Sequence, residues 1–289
     1  MIRLDTKDGA RHATVWSEPP IIYMDNWALV RFSADPVLRT EFLGVFRDRG
    51  TLAVSLMSVA EIGAHRAQQR PELRSFLEAI GPRWVPLTID PFSVMNTQEG
   101  SGSRQSACLS SAFLNDPHFS SKLLAGDLSL VHIVDLTRGG SGALLKASSD
   151  RSTHDLCECI NALRSHSDPQ ALEQAWPQMS FNAKASMRPI YNAFVRLSLK
   201  DSFKWTANHA RDLYHAITSM GCADMTVLDP HWANQARKVQ KLIGMPLDFV
   251  RVYSKHDLSR FLADLAAFPP SRDLFDPGKL ADVPQAACG

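Results

Sequence analysis

Four acidic side chains stand where an open parallel sheet would gather them, and a fifth lies one short strand away. Asp25 ends the short apolar run Ile21-Ile22-Tyr23-Met24. Glu61 falls in the first turn after a second apolar run at 51–56, three residues beyond Ser58. Asp212 lies within a long helical stretch, and Asp229 follows the short apolar run 225–228. Ligands of open α/β sheets bind beyond the carboxyl ends of the strands, so these four positions can converge. Asp224 precedes the run that Asp229 follows, and it joins the others only if the turn before that strand folds upward. Clustered carboxylates repel one another and take up protons unless a cation offsets their charge. Mg2+ or Mn2+ suits such a set, because hard cations prefer carboxylate and water oxygens. An ion held there activates a water and stabilises the charge that builds on a phosphodiester under attack. Each acid alone also fits a local duty. An Asp after a strand caps helices or turns, and Ser58 with Glu61 has the spacing of a capping box.

The elements that would position these acids are legible from hydrophobic spacing. The strand at 21–24 leads into an amphipathic stretch in which Pro36 opens a helix carrying Leu38, Phe42, Leu43 and Phe46, closed by Gly50. After the strand at 51–56, Leu73, Phe76, Leu77 and Ile80 mark a helix stopped by Gly81-Pro82, and 84–89 reads as a third strand. The rhythm returns near 201. A helix spans 203–220, with Ala210, Leu213, Ile217 and Met220 as its inward stripe and Gly221 after its end. Then come a strand at 225–228, a helix at 231–241, a strand at 249–253 and a helix at 258–268. This alternation predicts a three-layer α/β/α sandwich with a largely parallel sheet. Residues 91–200 break it with short apolar-periodic pieces at 105–115, 119–124, 128–137, 153–165 and 170–176, and are expected to form a mostly helical insertion. The expected organisation is an N-terminal arm at 1–20, a domain built from 21–90 and 201–268, the insertion at 91–200, and a loose tail at 269–289.

Composition bounds the rest. The 289 residues are 45% hydrophobic and 21% charged, enough for a sizeable core and unlike a disordered or fibrous chain. Lys plus Arg is 31 against 30 for Asp plus Glu, so no strongly basic domain is advertised. No apolar stretch approaches the roughly 20 residues of a spanning helix, and the first residues lack the apolar core of a secretory signal. An odd count of five thinly spread cysteines suits a reducing compartment better than a disulfide framework. The expected location is therefore cytoplasmic, with no membrane partner.

The stretch IIYMDNWAL resembles the opening strand and first acid of a PIN domain. SVAEI resembles the second acidic motif, and DLYHAITSMGCADMTVLDPHWANQA resembles the carboxyl-terminal half, with an acid on a helix, a small-apolar face, a short strand and a final acid. The resemblance covers 21–90 and 201–268; in compact members the second and third acids lie much closer in sequence than Glu61 and Asp212 do here. It implies metal-dependent endoribonuclease activity, with Asp25, Glu61, Asp212 and Asp229 holding one or two Mg2+ or Mn2+ ions and Asp224 matching a further acid of many members. The substrate it implies is RNA. The family includes toxins of toxin–antitoxin pairs and nucleases of RNA processing, so an antitoxin is the protein partner it implies for a toxin member.

Neighbours of the acids have two readings each. His215, three residues after Asp212, either makes a structural hydrogen bond or orients Asp212 or touches phosphate. His209 and His231 are further phosphate-contact candidates. Trp205 either packs against the insertion or stacks on a base. Lys200, Lys204 and Arg211 could meet phosphates, while Asn26 and Ser58 either cap helices or hold metal-bound water. Other chemistries lack their signatures: neither common phosphate loop, neither GxSxG nor HExxH, and no zinc-finger spacing beyond a lone Cys157-x-Cys159. The competing functions are a DNA or flap nuclease of the same fold, a catalytically silent PIN-like module that binds nucleic acid or protein, and a nucleotide-binding module whose acids are caps.

Overall fold

Apolar runs of three to five residues make the central strands, and helices cover both of their faces. The computed structural model describes residues 2–7, 10–15, 17–55, 58–59, 61–62, 71–88, 90–101, 110, 129–136, 140–166, 168, 180–200 and 204–269. The N-terminal arm is more ordered than its polarity suggested. Ile2–Lys7 (β1) and Ala10–Val15 (β2) pair antiparallel with Lys7 opposite Ala10. The sequence signal for this hairpin is Asp8-Gly9 between two alternating runs. The arm then joins the main body at Glu18, whose backbone N–H donates to Thr51 Oγ1 at 2.7 Å and whose carboxylate pairs with Arg83.

From Ile21 the expected alternation appears. Ile21–Met24 (β3) passes through Asp25 to Asn26–Ala34 (α1), and Pro36–Phe46 (α2) follows. Thr51–Ser55 (β4) is followed by helical backbone at Ser58, Val59, Glu61 and Ile62, then by Pro71–Ile80 (α3) and Trp84–Leu87 (β5). The region read as an insertion holds Pro91–Ser101 (α4), Leu130–Leu136 (α5), Gly140–His166 (α6), one 3-10 turn at Ala183–Ala185 and Met187–Ser198 (α7). Ala207–Cys222 (α8), Met225–Val227 (β6), Pro230–Ile243 (α9), Arg251–Tyr253 (β7) and Leu258–Ala267 (α10) complete the described fold.

Strands β3 to β7 form one all-parallel sheet in the order β5-β4-β3-β6-β7. The chain winds outward from β3 through β4 to β5, then returns to the other side of β3 for β6 and β7. The winding direction reverses between β3 and β6, and the crevice beyond their carboxyl ends is where such sheets bind ligands. Met24 pairs with Val227, so Asp25 and Asp229 leave the sheet at the same edge. The Asp25 N–H donates to Val227 O at 3.0 Å, fixing that exit.

Strands β3, β4, β5 and β6 are buried along their whole length, as expected when helices cover both faces of a parallel sheet. On one face Ile22, Met24, Leu52 and Val54 pack with Phe32, Phe42, Phe46, Phe76 and Phe261. On the other, Tyr23, Ala53 and Val85 pack with Met187, Phe194, Leu213 and Trp232. The insertion does not stand apart. Helix α5 lends Leu130 and Ile133 to the first core, while Val94 of α4, Ile160 of α6 and Phe194 of α7 belong to the second.

Several sequence expectations shift. The ambiguous piece at 128–137 is helix α5. Helix α8 begins four residues later than expected, because Thr206 caps it in a box with His209. Gly221 does not end α8; it lies inside the helix, where a Cβ would come within 2.3 Å of Met187 Cε. Its value is room for α7, whereas Gly244, at φ 67°, does close α9 in the left-handed conformation. Cys222 is disulfide-bonded, against the expectation of thiols throughout; Cys157 and Cys159 are free. Pieces read at 119–124, 170–176, most of 105–115 and the tail from 270 lie outside the described residues. Among the described residues, no helix is long and apolar enough to cross a membrane.

Candidate active site

Four of the five acids come together at the β3–β6 crevice. Asp25 is the N-cap of α1, and its Oδ1 accepts the Asn26 N–H at 2.6 Å. Asp229 is the N-cap of α9, its Oδ1 accepting the N–H groups of His231 at 2.8 Å and Trp232 at 3.2 Å. Pro230, with its preset φ and missing N–H, suits the first position of that helix. Asp212 projects from the second turn of α8, where the Trp232 indole N–H donates to it. Glu61 accepts from Asn26 Nδ2 at 3.4 Å and faces Arg211 Nη1 at 3.4 Å. The expected capping box at Ser58 is not made: the Ser58 N–H donates to Ser55 Oγ at 3.0 Å, and Glu61 turns to the crevice instead.

These acids feel one another. Burial, then the charges of Asp212, Asp229 and Glu61, lift the Asp25 carboxyl from 3.8 to about 7, against the Asn26 hydrogen bond. Burial, then Asp229 and Glu61, lift Asp212 from 3.8 to about 6, with Trp232 and Arg211 pulling the other way. Glu61 is raised by burial and by Asp150, and lowered by Arg211 and Asn26. Two carboxyl groups poised to hold protons near neutrality are what an acid cluster without a cation requires. Among the described residues, no three His, Cys, Asp or Glu side chains are placed so that together they could hold a metal ion. The four carboxylates share a field and a crevice without sharing a centre.

Asp224 is elsewhere, contrary to the expectation that it joins the metal-binding acids. Its Oδ2 accepts the Ile21 N–H at 2.7 Å, and its own N–H donates to Ile21 O at 2.8 Å, both at the amino edge of the sheet. Strand β6 has only three residues, so Asp224 and Asp229 stand off its opposite ends, about 16 Å of extended chain apart. The turn before the strand does not fold upward; it pairs with the start of β3.

The flanking candidates divide. An open cleft of ≈ 210 Å³ is lined by His209, Asp212, Asp229, His231 and Trp232, so both outer histidines reach the acids' surroundings. His215 does not. It is buried beneath them, its Nδ1 2.5 Å from the Tyr23 hydroxyl, and burial followed by the Arg211 charge pushes it down to about 4, a neutral imidazole. Trp205 is only 1% exposed and sits edge-on to Trp232, which removes the base-stacking reading. Its backbone carbonyl accepts from Cys157 Sγ and Asn161 Nδ2 of α6, the packing alternative. Lys204 is exposed, but Arg211 turns inward to bridge Glu61 and Asp150, its Nη2 at 2.9 Å from Asp150 Oδ1.

Asp150 is the residue that sequence reasoning missed. It comes from α6, 61 positions before Arg211, and no local pattern announces that pairing. Tyr23 was also missed as anything but strand core, though a hydroxyl two residues before an acid, on the same strand face, was a signal. Comparison with protein-family models, with curated proteins and with solved structures found no match.

Proposed function

We propose that the protein is a metal-dependent endoribonuclease of the PIN-like type, hydrolysing RNA phosphodiester bonds. The observation that carries this reading is the convergence of Asp25, Glu61, Asp212 and Asp229, from four separate segments, on the carboxyl edge of a parallel sheet where its winding reverses. All four groups are hard oxygen donors, the type a divalent cation prefers, and their mutual repulsion is the feature a cation relieves, although no three of them are placed in this structure to hold one. Asp25, Asp212 and Asp229 would hold Mg2+ or Mn2+, and Glu61 would hold the ion or its water. When bound, the ion supplies an acidified water and neutralises charge on the phosphodiester. The chain's own part is orientation. The helix caps fix Asp25 and Asp229, the Trp232 indole fixes Asp212, and Asn26 holds Glu61. His209 and His231 line the adjoining cleft, where a substrate phosphate would approach. The choice of RNA over DNA rests on the resemblance of IIYMDNWAL, SVAEI and the 212–236 stretch to PIN domains.

The test is cleavage of labelled single-stranded RNA and DNA of one sequence by the full chain, with Mn2+, Mg2+ or EDTA. RNA cleavage that needs the cation, and that falls at least about 100-fold in Asp25→Asn, supports the reading. Cleavage of DNA or of flap substrates in preference to RNA would move the assignment to the sister nuclease class. One observation favours a silent module: Arg211 already places a positive charge beside Glu61 and Asp150. Nucleic-acid binding without cation-dependent cleavage is the outcome that would select it.

A further inference from the structure

Arg211, at the rim of the acid crevice, is only partly satisfied. A guanidinium carries five N–H donors in a flat fork. Its Nη2 donates to Asp150 Oδ1 at 2.9 Å, and its Nη1 donates to Asn208 Oδ1 at 3.3 Å and stands 3.4 Å from Glu61 Oε1. Nε is buried and, among the described residues, has no hydrogen-bond partner. Asp150 receives one hydrogen bond from Arg211, not the parallel pair that makes arginine–anion contacts strong. The Arg211 side chain is 20% exposed and that of Asp150 is 41% exposed. A pair so open to water is weakly held. We propose that Arg211 binds the RNA backbone, that a phosphate takes the place Asp150 holds on its guanidinium, and that Asp150 is a built-in competitor that sets how tightly the substrate is held.

The choice of RNA rests on the reading above; the contact itself needs no metal ion. Arg211 directly precedes Asp212 on α8, and Glu61, which it faces, also meets Asn26 beside Asp25. The guanidinium therefore stands where a backbone entering the crevice would pass. Four acids repel a polyanion, so a phosphate arriving there needs a positive group of the chain's own. The donors match, because a phosphodiester offers two non-bridging oxygens to the two prongs of the fork. The exchange conserves charge, since one monoanion replaces another, and the counterions that RNA releases favour it at low salt. Asp150 lies on α6, which is fastened to the start of α8 by a separate contact. Asn161 accepts the Trp205 N–H at 3.3 Å and donates to the Trp205 carbonyl at 3.2 Å. Helix α6 thus keeps its place when Arg211 turns from Asp150 to a phosphate.

The experiment measures binding of a labelled single-stranded RNA to the full-length protein by fluorescence anisotropy, in EDTA and across a salt series, with thermal midpoints as the check on folding. Asp150→Asn keeps an oxygen for Nη2 but loses the charge, and should tighten binding about 3–5-fold at low salt. Arg211→Gln should weaken binding about tenfold and reduce the slope of log affinity against log salt by about 0.7. In the Arg211→Gln background, Asp150→Asn should change affinity by less than about 1.5-fold, because the two act through one contact. Glu158→Gln removes the same charge from an exposed position about two turns further along α6. It measures the effect of charge alone, and supplies the comparison if Arg211→Gln does not fold. Asp150→Asn that leaves binding unchanged or weaker, or that tightens it no more than Glu158→Gln or equally without Arg211, overturns the competitor role. No RNA binding by either the wild type or Asp150→Asn overturns the phosphate contact. Binding that behaves as expected, with no cleavage when Mn2+ is supplied, leaves this contact standing and overturns only the nuclease reading.

Discussion

Asp25→Asn separates a carboxylate kept for its charge from one kept for its shape. Asn is as good an N-cap as Asp, so the bond to the Asn26 N–H survives the change. What disappears is a negative charge whose neighbours include Asp212, Asp229 and Glu61. The Asp25 pKa rises on folding from 3.8 to about 7. Between those values the native state holds a proton that the unfolded chain has lost, so stability is full below about pH 4 and drains as pH rises through 7. At 1.36 kcal/mol per pH unit the ceiling is about 4 kcal/mol. Much of that is the cost of burying a polar group, which the amide still bears in part, so a gain of about 1–2 kcal/mol at pH 8 is expected. For a chain of this length that is a rise in midpoint of roughly 2–4 °C. The assay is thermal and urea unfolding in EDTA at pH 5 and pH 8, for wild type and variant. The advantage of the variant should appear at pH 8 and vanish at pH 5, while cleavage and Mn2+ binding are lost at both. A variant several kcal/mol less stable at pH 8, or one with the wild-type dependence on pH, would show that the carboxylate is a structural acceptor and would refute the crowding argument.

Three other outcomes follow from the same geometry. Asp224→Ala should cost about 1 kcal/mol by freeing the Ile21 N–H, and should leave Mn2+ affinity unchanged by calorimetry; a loss of affinity would return Asp224 to the site. Mn2+ must displace protons from Asp25 and Asp212, at about 7 and about 6, so affinity should rise at least about tenfold from pH 5.5 to 7.5; a flat profile would place the ligands elsewhere. Arg211→Gln removes the cation beside Glu61, and should lower the metal-free midpoint by the equivalent of about 1 kcal/mol while enlarging the rise that Mn2+ produces; equal rises in both proteins would show that Arg211 does not offset the acids.

The sheet was legible because most of its strands are short apolar runs, and because alternation with helices implies parallel pairing. Asp25 and Asp229 were legible for the same reason: each ends a strand, and parallel strands end at one edge. Asp224 misled because family resemblance carried it over while strand length argued against it; a three-residue strand cannot bring both of its flanking residues to one end. His215 takes the first of its two readings, a structural hydrogen bond. Spacing of three placed it beside Asp212, but α8 is buried nearly all round from Leu213 onward, so its neighbouring face looks at Tyr23 and not at solvent. The link from Asp150 to Arg211 had no local trace at all. It exists only after α6 has packed on α8, a contact between distant segments that no period in the sequence encodes.

Capping and cation binding are commonly set against each other as explanations of an acid after a strand, but under the proposed metal-site reading they reinforce one another. A carboxylate has two oxygens and about four acceptor positions. The caps of α1 and α9 each use Oδ1, so the second oxygen of each carboxylate stays outside the cap. The same bonds remove rotational freedom, so little ordering is left for an incoming ion to impose. Asp212 has no helix start to hold it and takes the Trp232 indole instead, donated from the helix that Asp229 caps. The two acids are thereby tied through one short segment, Asp229 to Trp232, and a perturbation of that segment reaches both. A cap that served only its helix would gain nothing from a neighbour whose charge raises the pKa of Asp25; the crowding is a cost that makes physical sense when something positive is meant to sit in the crevice.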